Sequence, residues 1–372
     1  MCAAMDYVLA LDHCDAQAAS RVGGKALGLG SLLREGLRVP PGFVVTTDAY
    51  RAGVVFPGLH AEAVWKLRDA DSADAQRRAS EQIRAMFERG ELADQVGGEI
   101  AIAYHRLAAG RAAPPVAVRS SATDEDRADA SFAGQQETYL WVQGEAAVAR
   151  HVMRCWSSLF TPQAIAYRAH FGVPTAGLAM AVVVQEMVSA EAAGVMITLD
   201  PVTGDRSAIT IESSFGLGLA VVGGEVTPDR FVVDKVTSEI RSRSIGPKAI
   251  AYRFDAGSGA VVITDVAQDR QGLASLSDEE VIELARIGRA LERAQGGPQD
   301  VEWAIGPGSG GPRQLFLLQM RPETVWSRRT VAPISDPRTP ILARMLQSMS
   351  VPLKIRDFAT VDGPRGASSE TC

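Results

Sequence analysis

Apolar residues recur at two periods along this chain. Residues 60–110 are rich in Ala, Glu, Arg and Gln at helical spacing, which predicts two or three helices ended by Pro114-Pro115. Residues 145–171 read as helix again. Shorter runs, alternating or wholly apolar, read as strands: the end of 39–45, a segment that reads as a Pro-Pro-Gly turn and a strand, then 116–119, 179–188, 194–199, 209–212 and 230–234. Ser277-Asp278-Glu279-Glu280 is a capping box that opens a helix to about residue 293. Periodicity fades after about residue 327, so 328–372 reads as a tail or partner-docking segment.

The densest chemistry lies just before that tail. Gln299-Asp300-Val301-Glu302-Trp303 and Leu318-Gln319-Met320-Arg321-Pro322 flank a glycine-rich gap that reads as the turn of a hairpin. Alternation puts Asp300 and Glu302 on one face of the first strand, and Gln319 and Arg321 on one face of the second. A register with Glu302 opposite Gln319 also sets Asp300 opposite Arg321, so two acids, an amide and a guanidinium converge. Carboxylate and amide oxygens suit Mg2+, which takes few protein oxygens, and Arg321 would neutralise phosphoryl oxygens. The alternative is a structural Asp300–Arg321 salt bridge.

Composition narrows the partners. A length of 372 residues allows two or three domains, and 46% hydrophobic with 22% charged residues is the balance of a soluble globular protein. A net charge of −6 argues against nucleic acid as the main partner. Cys2, Cys14, Cys155 and Cys372 are scattered without a CxxC pair, which fits a reducing cytoplasm and argues against a zinc or disulfide framework. Asp6 and Asp12 interrupt the N-terminal apolar residues, so no signal peptide is expected. Gln185, Glu186, Ser189 and Glu191 break the most apolar region, so no membrane span is expected either.

Four further segments could touch a nucleotide, and each has a plainer reading. Val22-Gly23-Gly24-Lys25 could bring backbone and a lysine to a phosphate, but Ala26 excludes the GxxxxGK[ST] spacing, and a structural turn is the alternative. Only a short helix, 31–35, is expected after these glycines. Arg119 ends a strand before Ser120 and Ser121, which fits phosphate clamping; the alternative is pairing with Asp124, Glu125 or Asp126. Ser131-Phe132-Ala133-Gly134-Gln135-Gln136 reads as a nucleotide lid or an ordinary surface loop. Gln185-Glu186-Met187-Val188 could read adenine through backbone groups with Met against the ring, or be a simple strand end.

These segments occur in one order with Val39-Pro40-Pro41-Gly42-Phe43, Gly194-Val195-Met196, Asp200-Pro201-Val202-Thr203-Gly204 and Gly216-Leu217-Gly218. Over roughly residues 20–325 the set resembles the ATP-binding domain of the phosphoenolpyruvate synthase and pyruvate phosphate dikinase family, which includes rifampicin phosphotransferase. The resemblance implies an ATP-grasp fold in which two α+β lobes, 1–189 with a helical insertion and 190–327, clasp MgATP. It implies Lys25 and Arg119 on the phosphates, Gln185, Glu186, Met187 and Val188 beside adenine, and Glu212 at the ribose. Glu302 and Gln319 would hold Mg2+, and Asp300 and Arg321 would act at the transferred group. Relatives often carry Gly-Leu-Gly-Glu where this chain has Gly216-Leu217-Gly218-Leu219, which leaves the role of that acid open, with Glu225 nearby.

Family members continue into a swivelling domain whose phosphorylatable histidine sits in a Thr-Ser-His or Ser-His context. None of His13, His60, His105, His151 and His170 does. The expectation is therefore a cytoplasmic ATP-binding subunit that cleaves MgATP to AMP and phosphate and phosphorylates a histidine on a partner subunit, with room for a further regulatory subunit. Among split members, phenylphosphate synthase matches this arrangement best, with phenol as the acceptor. The alternatives are a split phosphoenolpyruvate synthase or a rifampicin-phosphotransferase-like enzyme. From another class comes a non-catalytic ATP-sensing module, against which the set Asp300, Glu302, Gln319 and Arg321 speaks.

Overall fold

Alternation in the apolar strand at 180–186 decides how the chain is layered. Ala181 and Val183 point into one hydrophobic core, while Met180, Val182 and Val184 point into another. That strand is the middle of a five-stranded antiparallel sheet built from β1 (Val8–Ala10), β2 (Gly42–Val45), β3 (Val116–Ala122), β4 (Thr138–Val142) and β5 (Met180–Glu186), in the order β1-β2-β5-β3-β4. The computed structural model describes residues 6–53, 62–63, 66–67, 72–122, 137–175, 177–307 and 313–327. The acids at 124–126, the 131–136 segment, His60 and the 328–372 tail lie outside them.

Helices Ala73–Arg89, Asp94–Ala108, Glu145–Ser157 and Pro162–Phe171 cover one face of this sheet around Phe87, Trp156 and Phe160. The other face looks toward the helix Ala19–Arg34 and a second sheet. The second sheet contains β6 (Ala192–Ile197), β7 (Ala208–Phe215), β8 (Asp229–Asp234), β9 (Ile240–Ser244), β12 (Gln299–Gly306) and β13 (Gln314–Pro322), in the order β13-β12-β6-β7-β8-β9. The pair β10 (Ile250–Asp255) and β11 (Ala260–Asp265) forms a separate hairpin. Among the described residues every strand pairing is antiparallel, and helices sit beside both sheets, so the class is α+β.

One face of the second sheet is apolar: Met196, Ile211, Phe231, Val301 and Trp303 pack with Val281, Leu284 and Leu291 of the helix Asp278–Gln295. That helix starts at the expected capping box, with Ser277 and Glu280 exchanging side-chain and backbone hydrogen bonds. Such caps typically contribute about 1 kcal/mol.

The glycine-rich stretch near the N-terminus departs from expectation. It is not a loop before a short helix but part of the long helix Ala19–Arg34, broken only at Gly23 (φ 74°, ψ 172°). That conformation is essentially reserved for glycine. A Cβ at Gly23 would also lie 2.4 Å from the Ser121 carbonyl oxygen. The break frees the Val22 carbonyl, which accepts a hydrogen bond from the Ser121 hydroxyl at 2.8 Å. Gly28 has a different reason: a Cβ there would come within 2.2 Å of the Met320 carbonyl oxygen, so its absence lets the helix lie directly on β13. From sequence, Gly23 and Gly24 read as a phosphate approach or a turn and Gly28 had no role, whereas Gly28 serves close packing between elements far apart in sequence.

Candidate functional site

The terminal hairpin has the register that alternation predicts: Asp300 is opposite Arg321 and Glu302 is opposite Gln319. A bulge between Glu302 and Trp303 shifts the pairing beyond that point. β6, β7 and β8 continue the rows. One row runs Gln319, Glu302, Val195, Glu212, Arg230, and the next runs Arg321, Asp300, Ile197, Thr210, Val232. Directly opposed residues share a face. This face is therefore polar and lies opposite the apolar face that carries Val301, Met196 and Ile211.

Arg119 reaches this face from the first sheet. It is paired with Val183 in β5 and shares its face, the one turned toward the helix Ala19–Arg34 and the second sheet. One guanidinium nitrogen, Nη2, donates to Glu302 Oε2 at 2.6 Å and to Gln319 Oε1 at 2.9 Å. Nη1 donates to the Leu318 carbonyl at 3.1 Å. Among the acids weighed from sequence, none of 124–126 is within the described residues, and the partner found is Glu302, almost two hundred residues away. The Arg119 side chain is 12% exposed and that of Glu302 25%. Lys25 is buried in the helix beyond the Gly23 break, and its charge acts on Glu302.

The electrostatics separate the two acids. Burial raises the Glu302 pKa, but Arg119, then Lys25 and Arg321, outweigh it and hold the carboxyl below its ordinary value. Asp300 goes the other way. Burial pushes it up, and its bonds to Arg321 at 2.7 and 2.8 Å do not fully compensate, while Glu302 and Glu323 add to the rise.

Two hard oxygens, from Glu302 and Gln319, thus converge on a single point now taken by a cationic nitrogen. That donor set fits Mg2+, which takes one or two protein oxygens and fills its shell with phosphate and water. Among the described residues no cluster of three or more His, Cys, Asp or Glu makes a self-sufficient metal cage.

Other expected contacts fare differently. Ser120 and Ser121 are fully buried, and Ser121 is committed to the helix break, so these hydroxyls serve the fold and not a ligand. The backbone N–H groups of Glu186 and Met187 do not face a ligand, because β5 is an interior strand. They donate to the carbonyls of Pro41 at 2.8 Å and Pro115 at 2.9 Å. The Gln185 side chain is buried and donates to the Pro40 carbonyl, and the Glu186 carboxylate is held by Arg111. The Val188 carbonyl accepts from the Ala190 N–H. Glu212 is half-buried on the polar face, one strand from Val195. Glu225, near the departing Leu219, accepts from the Tyr252 hydroxyl at 2.7 Å.

Sequence reasoning missed Thr210 and Arg230. Thr210 is buried in the Asp300 row with no partner for its hydroxyl among the described residues. Arg230 stands opposite Glu212 and donates to Asp200 at 3.4 Å. The alternation Ile209-Thr210-Ile211-Glu212 held the signal for Thr210. Arg230 carries none by itself, because its neighbours are set by strand pairing.

Comparison with known proteins gives a consistent picture. A family model described as "Pyruvate phosphate dikinase, AMP/ATP-binding domain" matches residues 19–340. A phosphoenolpyruvate synthase of Aeropyrum pernix is 41% identical over 350 residues, covering 87% of this chain and 43% of that protein. A probable phosphoenolpyruvate synthase of Methanocaldococcus jannaschii is 40% identical, covering 86% of this chain and 27% of that protein. A rifampicin phosphotransferase of Streptomyces sviceus is 44% identical over 321 residues, covering 86% and 36%. The chain spans less than half the length of these relatives. No helix among the described residues is long and apolar enough to cross a membrane.

Proposed function

The chain belongs to the pyruvate phosphate dikinase AMP/ATP-binding domain family, and on that premise we propose that it is an ATP-grasp module. In this reading it binds MgATP between its two sheets and passes a phosphoryl group to a histidine carried by a separate partner subunit. The observation that carries the reading is the convergence of Arg119, Glu302 and Gln319, with Asp300 and Arg321 one row away.

Each side chain then has a task. Glu302 and Gln319 present oxygens to Mg2+, which when bound supplies positive charge to the phosphate oxygens. Lys25 and Arg119 supply donors to the triphosphate, and Arg119 can turn its planar fork from a carboxylate to a phosphate because both accept it in the same geometry. Arg321 leans on the transferred group as charge develops, and Asp300 holds the guanidinium in place. Glu212 takes the ribose. On the adenine side, the segment from Gln185 to Val188 shapes the pocket by packing, with Met187 against the ring, since its amides at Glu186 and Met187 are already used. With one water consumed in releasing the γ-phosphoryl group, ATP would end as AMP and phosphate, with the β-phosphoryl group on the histidine.

For the final acceptor, the relatives' names support a phosphoenolpyruvate synthase or rifampicin-phosphotransferase-like reaction better than phenol activation. Incubation with a histidine-domain partner and ATP labelled at the β-phosphorus tests the proposal. It predicts acid-labile, base-stable label on that partner. Label confined to a residue of the described chain would contradict it.

A further inference from the structure

Arg119 stands at the one point where the Glu302 and Gln319 oxygens meet, with its Nη2 within 2.6 and 2.9 Å of them. A divalent ion held by these two ligands needs the same place. Resting on the MgATP reading above, we propose that Arg119 is a stand-in cation: it keeps the Glu302–Gln319 pair closed to metal until a triphosphate draws its guanidinium away, so metal enters only together with nucleotide.

Charge supports this. Lys25, Arg119 and Arg321 bring three positive charges to this neighbourhood, and Glu302, Asp300 and Glu323 bring three negative ones. Adding a divalent ion alone to this balanced, partly buried place creates an excess of positive charge, whereas adding it with a triphosphate does not. The seat of Arg119 is also incomplete. Its Nε is buried and has no hydrogen-bond partner among the described residues, so the guanidinium is not fully satisfied by them where it sits. A phosphate offers more acceptor oxygens and more charge than the carboxylate, amide and Leu318 carbonyl that now hold it.

Geometry gives the switch a wider consequence. Arg119 belongs to the first sheet and its three acceptors to the terminal hairpin of the second. Moving the guanidinium onto a phosphate therefore exchanges a direct tie between the sheets for one made through nucleotide. Metal affinity and nucleotide affinity become coupled through this single residue, each raising the other by the same factor.

Mn2+ binding without nucleotide, followed by the electron paramagnetic resonance signal of the free ion, tests the idea. The Arg119→Met chain should bind one Mn2+ at least about 10-fold more tightly than the wild type, a coupling of ordinary allosteric size. Adding Glu302→Gln should remove the gain. Equal Mn2+ affinity in wild type and Arg119→Met overturns the proposal. Should Arg119→Met fail to fold, wild-type crystals decide. Soaked in MnCl2 alone, they should show no anomalous peak between Glu302 and Gln319. With a non-hydrolysable ATP analogue added, they should show one, with Arg119 off both oxygens. A peak without nucleotide overturns the proposal. Wild-type MgATP binding with unchanged Mn2+ affinity in the variant would sink this inference alone, whereas failure of the wild type to bind MgATP would sink the reading beneath it.

Discussion

Asp300 and Arg321 face each other across the terminal hairpin and are ion-paired at 2.7 Å, with the arginine 46% exposed and the aspartate 20%. The more buried partner anchors and the more exposed one reaches out, the arrangement expected of a positioned cation. Arg321→Ala should lower the rate of phosphoryl transfer by about 10²- to 10³-fold, the loss typical of one transition-state donor. The dissociation constant for ATP should change only a few-fold. Calorimetry for binding and single-turnover labelling for rate check this. Equal losses in both would mark Arg321 as a ground-state contact.

Glu302 should show a sign reversal. Its folded pKa is lowered, so it contributes stability above the ordinary glutamate range that is lost as pH falls through the folded value. In Arg119→Met, burial, already the largest single effect on this carboxyl, is no longer outweighed and the pKa should move above the ordinary value. The same carboxyl then lowers stability as pH rises between the two values. A carbon-13 titration of the Glu302 carboxyl in both proteins reads the direction. A downward shift surviving in the variant would show that Lys25 and Arg321 suffice without Arg119.

Gly23→Ala should lose about 3 kcal/mol or more of stability, combining a glycine-only conformation with a backbone clash at Ser121. Urea unfolding measures it, and a loss under about 1 kcal/mol would mean that the helix straightens at no cost.

Cys14 and Cys155 should resist thiol reagents in the native chain. Both are fully buried. Burial, with Asp12 adding, pushes the Cys14 thiol up to about 12, and burial, with Glu137 adding, raises that of Cys155. Mass spectrometry after brief alkylation should find neither labelled until denaturant is added. Native labelling at the ordinary thiol rate would show that these cores open readily.

Local patterns in the sequence already held much of the site. Period-two alternation was enough to place Asp300, Glu302, Gln319 and Arg321 in register, because strand geometry fixes which residues face each other. The Ser277 cap was equally local. Contacts made by pairing between distant strands were not legible. Arg119 meets Glu302 only because β3 lies beside β5 and the second sheet stands opposite that face. The glycines of the first helix misled for the same reason, since the carbonyl that Gly28 makes room for belongs to Met320. The amides of Glu186 and Met187 looked available because a strand end reveals nothing of its neighbours until Pro41 and Pro115 are placed beside it.

Every role proposed for this chain rests on the polar face around Glu302 and Gln319 binding MgATP. Isothermal titration of the wild type with ATP, with and without Mg2+, and of Glu302→Gln under the same conditions, tests it most directly. The wild type should bind one ATP per chain, more tightly with Mg2+ present, and Glu302→Gln should lose the Mg2+ dependence. No ATP binding by the wild type, or an identical Mg2+ dependence in the variant, would contradict the account.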